Sequence, residues 1–213
     1  MEKDFLTMSI GEFTEALASS ASVPGGGGAS AFVAGLSVAL GRMVAALTTG
    51  KKKYADIQEE LEVIIEQLGE FQKVMLDSVE KDAEVFYPLS QAYSLPKETE
   101  EEKAFRAEML ERLLVDAAGA PLELMGNIVR LMGLLEHLSA IGSRMVISDA
   151  GVAVCFAKAA LDSSALNVYI NTKLMRNKTM AESMNRIADE FKEEGRLIEE
   201  RVSGHIIDEL KTR

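Results

Sequence analysis

Tryptophan is absent from the 213-residue chain, and histidine, proline and cysteine are scarce: two His, four Pro and one Cys. A single cysteine closes no disulfide within the chain, and Cys155, set in an apolar run, is expected to pack as a small buried hydrophobe. His137 and His205 are isolated, and no His/Cys/carboxylate cluster has metal-ligand spacing, so no metal site is expected. There is no Gly-x-Ser-x-Gly nucleophile elbow. Aromatics are only 6%, so the core must be built from Leu, Ala, Ile, Val and Met, a set that favours close helix packing over sheets. Positive charge is short as well. Lys and Arg number 23 against 34 Asp and Glu, for a net charge of -11, which argues against nucleic acid as a partner. An anionic small ligand fits only where a local basic cluster receives it. The first residues carry acids and no long apolar core, so no secretory signal is expected and the cytoplasm is the expected location.

What is present is a foldable composition. Hydrophobic residues make up 47%, and no stretch reads as a linker, a repeat or a low-complexity tract, so residues 1–213 are expected to form one domain. Ser9 and Glu12 have capping-box spacing and predict a short first helix to about Ser19. A second, very apolar helix covers Ala29 to Thr48 and ends near Gly50. It is about one bilayer thickness long, but Arg42 and its many small residues suit a buried helix at the centre of a bundle, and no membrane partner is expected. From Tyr54, Ile57, Leu61, Ile64, Leu68, Phe71, Met75 and Val79 recur every three or four residues and predict a long amphipathic helix, kinked or ended by Pro88. Another runs from about Thr99 towards His137, bent at Gly119 and Pro121. Ser148-Asp149 reads as an N-cap pair for a second apolar helix through Asn171, and Thr179 with Glu182 as a capping box for a last, charged helix. The pattern predicts an all-α bundle of long helices around two very apolar central ones. Those two have too little polar surface to face water, which points to a homodimer.

Four groups of residues bring chemistry to this bundle. Pro24-Gly25-Gly26-Gly27-Gly28 precedes a helix, and four consecutive glycines make sense only where the backbone turns tightly or something approaches it closely. That something is either an anionic or electron-rich ligand group on free helix N–H groups, or a crossing helix. Lys51, Lys52 and Lys53 form a concentrated positive patch, either a carboxylate receiver or a solvated helix end. Asp82 lies four residues before Phe86 on one helix face. A carboxyl against an apolar wall holds its proton more tightly and can serve as acid or base. Ser163, Asn167 and Asn171 share a face at i, i+4 and i+8, suited to a heterocycle or to a subunit interface.

Taken in order, these motifs resemble those of the cyclodeaminase/cyclohydrolase family, which comprises the cyclodeaminase part of formiminotransferase-cyclodeaminase and stand-alone methenyltetrahydrofolate cyclohydrolases. The resemblance is carried by Val23 to Ala31, Met43 to Thr48, Gly50-Lys51-Lys52-Lys53-Tyr54, Lys81 to Phe86, Ala120-Pro121-Leu122, Ser148-Asp149-Ala150-Gly151-Val152 and Asn167-Val168-Tyr169-Ile170-Asn171. It departs at Gly142-Ser143, where the family usually has Gly-Asn, at Thr172, where Leu is usual, and in having four glycines where three are common. The resemblance implies an all-α homodimer that acts on a tetrahydrofolate one-carbon derivative as its substrate, with no permanently bound cofactor. Either a formimino group closes to the methenyl bridge with loss of ammonia, or water opens that bridge to the 10-formyl form. It further implies Asp82 as the acid/base and Lys51 to Lys53 as receivers of the glutamate carboxylates. The pterin or its tail would lie on the glycine loop, with Ser148, Asp149, Asn167 and Asn171 at the polar edge of the ligand. A folate-binding module without turnover and a purely structural helical dimer are the alternatives. A helix of about 30 Å separates the loop from the lysines, so the resemblance predicts one pocket shared by two subunits.

Overall fold

The computed structural model describes residues 5–211. Six helices follow one another: α1 (Ile10–Leu17), α2 (Gly26–Ala46), α3 (Gln58–Ala92), α4 (Glu100–Ile141), α5 (Ile147–Leu174) and α6 (Lys178–Lys211). No strand occurs among the described residues. α2 packs on α3 and α5, and α4 on α3, α5 and α6. Leu61, Ile64, Leu68, Met75 and Val79 of α3 are all buried, as their spacing predicts, and they join Leu131, Leu135 and Leu161 in one main core. A smaller cluster around Leu89, Leu113, Leu114 and Met175 fills the end of the α3–α4 hairpin. Ser9 and Glu12 cap α1 reciprocally, and Thr99 and Glu102 do the same for α4.

α2 is long and apolar enough to cross a membrane by length and composition, and half of it is buried in the bundle. The rest is not central. Leu36 and Met43 of α2, Leu47 just after it, and Val152, Phe156, Leu166, Ile170 and Leu174 of α5 are exposed. Cys155, on the same stretch of α5, is exposed rather than buried, because it falls on the outer face of that helix while Ala153, Val154 and Ala157 take the inner one.

Other expectations need correction. Pro88 does not end its helix, and α4 runs on through Pro121. A proline removes the N–H owed to the carbonyl four residues earlier, and for Pro121 that carbonyl is Ala117 O. The Asn171 side chain donates Nδ2–H to it at 2.9 Å, so a neighbouring helix replaces the missing bond. Ser148 and Asp149 lie inside the first turn of α5, after a 3₁₀ turn at Arg144–Val146, and neither caps the helix. Thr179 likewise lies inside α6. Asn177 Oδ1 accepts from Met180 N, while the Glu111 carboxylate accepts the N–H groups of Arg176 and Asn177.

The Asn171–Pro121 relation gives a first prediction. Asn171→Ala should destabilise the fold by about 1–3 kcal/mol, the cost of leaving a buried carbonyl unpaired. In a Pro121→Ala background, where the restored N–H at position 121 returns to Ala117 O, the loss should be smaller by about 0.5 kcal/mol or more. Denaturant unfolding of the four proteins measures the coupling, and additive losses would remove this role from Asn171.

Candidate active site

The glycine loop opens α2 with Gly25 as its N-cap, and no side chain caps it locally. The first N–H groups of a helix need acceptors, and its N-terminus carries partial positive charge. Asp82 answers from α3: its Oδ2 accepts from Gly28 N at 2.8 Å. The contact is close enough that a Cβ at position 27 would stand 2.0 Å from Asp82 Oδ1. Only glycine lets this carboxyl lie against the start of α2. Burial is the main influence on Asp82 and raises its pKa above the ordinary carboxylate range, while the Gly28 N–H works in the opposite direction.

Asn167 and Asn171 reach the same place from α5. α2 and α5 run antiparallel, joined by Ser30 Oγ donating to Ser163 Oγ at 2.8 Å near the loop and by Ser37 Oγ donating to Ala153 O at 2.7 Å further along. The amide of Asn167 packs against Gly26. Its Nδ2 donates to Ser163 O, and that of Asn171 to Asn167 O as well as to Ala117 O. Both Oδ1 atoms are left without a donor among the described residues, ready to accept N–H groups from a ligand. Gly25, Gly26, Gly27, Asp82, Asn167 and Asn171 line one cavity of about 280 Å³, with Phe86 and Tyr93 as its aromatic wall. Pro24 is buried just before it, after a cis Val23–Pro24 bond.

The lysines lie elsewhere. Gly50, with φ +73°, turns the chain out of α2, as glycine permits. Lys51 Nζ then donates to Ser143 Oγ at 3.0 Å. Ser143 is buried and donates its N–H to Thr48 Oγ1, and Arg144 N donates to Tyr54 OH. Lys52 and Lys53 are exposed. Ser148 and half-buried Asp149 are at this same end, in the first turn of α5. The structure therefore sorts the predicted residues into two clusters. The loop, Asp82, Asn167 and Asn171 form one. Lys51 to Lys53, Ser148 and Asp149 belong to the other, about 27 Å away along α5. Asp149 and Asn167 do not share a ligand edge within one chain. The Lys51–Ser143 bond, with Thr48 and Tyr54 accepting from the backbone of Ser143 and Arg144, has no signature in the sequence, because no local pattern ties positions 51 and 143.

The comparisons with known proteins bear on this arrangement. A family model described as formiminotransferase-cyclodeaminase matches residues 9–190. The chain is 38% identical to a methenyltetrahydrofolate cyclohydrolase of Methylorubrum extorquens over 193 residues, which is 91% of this chain and 93% of that protein. It is 29% identical to the mouse formimidoyltransferase-cyclodeaminase, covering 85% of this chain but only 34% of that longer protein. The solved structure of a formiminotetrahydrofolate cyclodeaminase from Thermotoga maritima superposes with a TM-score of 0.86 at 28% identity, over 96% of this chain and 98% of the other. Its motifs, its fold and these likenesses together place the chain in the formiminotransferase-cyclodeaminase family.

Proposed function

We propose that the protein is a folate one-carbon enzyme that hydrolyses the methenyl bridge of tetrahydrofolate, with Asp82 as the acid/base. The observation that carries this reading is the setting of Asp82: a largely buried carboxyl of raised proton affinity, held against free helix N–H groups beside two amide oxygens. The pterin ring presents N–H donors to the oxygens of Asn167 and Asn171, and the open N–H groups of Gly26 and Gly27 donate to electron-rich atoms of the ligand. Water adds to the bridge carbon, and Asp82 takes its proton and returns it to the nitrogen that is set free. Acid and base suffice, so no permanently bound cofactor is called for. The 38% likeness to a stand-alone cyclohydrolase of nearly equal extent favours this direction. Closure of a formimino group with loss of ammonia is the second reading, favoured by the likeness to a cyclodeaminase structure.

The working unit of this reading is a cytoplasmic homodimer. The exposed apolar faces of α2 and α5 adjoin, with Leu166 66% and Leu174 50% exposed, and such a continuous patch calls for a cover. A second copy fits it. A two-fold axis in the plane of this face, crossing the helices at right angles, brings the lysine end of one chain to the glycine loop of the other. Drug-sized ligands occupy pockets of roughly 300–1,000 Å³, so a cavity of about 280 Å³ takes the ring and leaves the glutamate tail for the partner's lysines.

Subunit mixing tests this arrangement. Asp82→Asn chains and Lys52→Glu/Lys53→Glu chains should each be poor enzymes at low folate. In a shared pocket, a mixed dimer has one doubly altered and one intact site. Random mixing in equal amounts should therefore restore about a quarter of wild-type activity, since half the dimers are mixed. Activity no higher than the average of the two parents would place the whole site in one chain.

A further inference from the structure

A second cavity, of about 530 Å³, opens between α3 and α4. Ser78 and Lys81 of α3 and Ala120, Pro121, Glu123 and Asn127 of α4 line it, and its lining shares only Gly27 and Asp82 with the glycine-loop cavity. Asp82 and Gly27 are thus the wall between two spaces. The second is polar and charged: Asn127 Nδ2 donates to Glu123 O, its Oδ1 accepts from Arg130, and Lys81 and Glu123 are exposed to water.

We propose that Asp82 exchanges its catalytic proton with bulk water through this α3–α4 cavity, while the folate occupies the other side. The proposal rests on Asp82 being the acid/base. Hydrolysis of the methenyl bridge makes the exchange necessary. The adding water forms one C–O bond and brings two protons, and the bond from the bridge carbon to one folate nitrogen breaks. One proton ends on that nitrogen and the oxygen becomes the formyl carbonyl, so one proton per turnover must leave. It leaves from Asp82, and the bound folate covers the front of that group. Water in the cavity behind accepts the proton and carries it out past Ser78 and Glu123. In the deaminating direction the same path runs inwards and supplies the proton that the departing ammonia takes.

The path can be blocked without altering the folate side, because Ala120 lines only the rear cavity. Ala120→Leu narrows it permanently. Ala120→Cys, made in a Cys155→Ser background and labelled with a bulky aromatic methanethiosulfonate, obstructs it reversibly and serves as its own reference before labelling and after reduction. In stopped-flow assays with methenyl-tetrahydrofolate, the first turnover should keep its unblocked rate. Later turnovers should slow by about tenfold or more, with the folate KM nearly unchanged and the rate restored by reductant. Unslowed later turnovers would overturn the proposal. So would equal slowing of the first turnover, which marks a displaced Asp82 rather than a blocked path. If Asp82→Asn is inactive while the obstructed proteins turn over freely, the route fails and the role of Asp82 stands. If Asp82→Asn is active, the role itself fails.

Discussion

Replacing Asp82 by Asn is expected to lower kcat by about 10²- to 10⁴-fold, the span that loss of a positioned acid or base produces, and to leave folate binding within a few-fold of wild type. The reason is local. Asn keeps the size of Asp and can still accept from Gly28 N–H, so the wall between the two cavities keeps its shape. Only the exchangeable proton is lost. The same substitution has a stability signature of known sign. Burial holds the Asp82 carboxyl above its ordinary pKa, so the folded chain binds this proton more tightly than the unfolded one. The stabilising contribution is then fully present in acid and is lost as pH rises from the unfolded value through the raised folded value. Asp82→Asn should therefore melt higher than wild type at neutral pH, with the difference shrinking towards acid. The wild-type rate should also fall on the acid side, at a pH above the usual carboxylate range, as Asp82 becomes protonated, and the variant should lack that limb. Retained turnover would show that another group moves the proton.

Gly27→Ala is expected to cost nearly as much activity, about 10²-fold or more, although position 27 carries no functional group. An added Cβ would lie 2.0 Å from Asp82 Oδ1 and 2.5 Å from its Cγ. The groups that must give way are the end of one side chain, so the protein should fold while the carboxyl swings off the start of α2. The melting temperature should stay close to that of wild type, since alanine favours helix by about 1 kcal/mol over glycine and offsets the lost contact. Gly69→Ala is the matched control, because nothing lies within 4 Å of a Cβ there. It should gain a little stability and keep full activity. A Gly27→Ala protein with wild-type kcat would mean that the Gly28–Asp82 bond does not hold the catalytic geometry.

These effects separate what was legible in the sequence from what was not. The bundle could be read because its causes are local. Leu61 to Val79 repeat at helical spacing, and Ser9 with Glu12 is a complete cap in four residues. Asn167 and Asn171 could be placed on one face by counting. What could not be read were the contacts that distant residues make. Pro121 marks its own missing N–H, but the donor that replaces it, Asn171, lies fifty residues on. Asp82 could be singled out as a carboxyl on an apolar helix face, but its contact with Gly27 and Gly28, 54 residues away, could not. Lys51 reads as a carboxylate receiver or a solvated helix end, and neither reading contains its hydrogen bond to Ser143. Thr179 lost its predicted cap to Asn177 and Glu111 because α4 reaches the start of α6. Cys155 was misplaced because an apolar run does not show which of its faces turns inwards.

The most direct test of the account is to add the purified protein to methenyl-tetrahydrofolate and follow loss of its absorbance, with formimino-tetrahydrofolate and ammonia detection run alongside. The account predicts catalysed loss of the methenyl chromophore with stoichiometric 10-formyl product and one proton released per turnover. Tight folate binding with neither methenyl loss nor ammonia release above the uncatalysed rates would contradict it and leave a binding module.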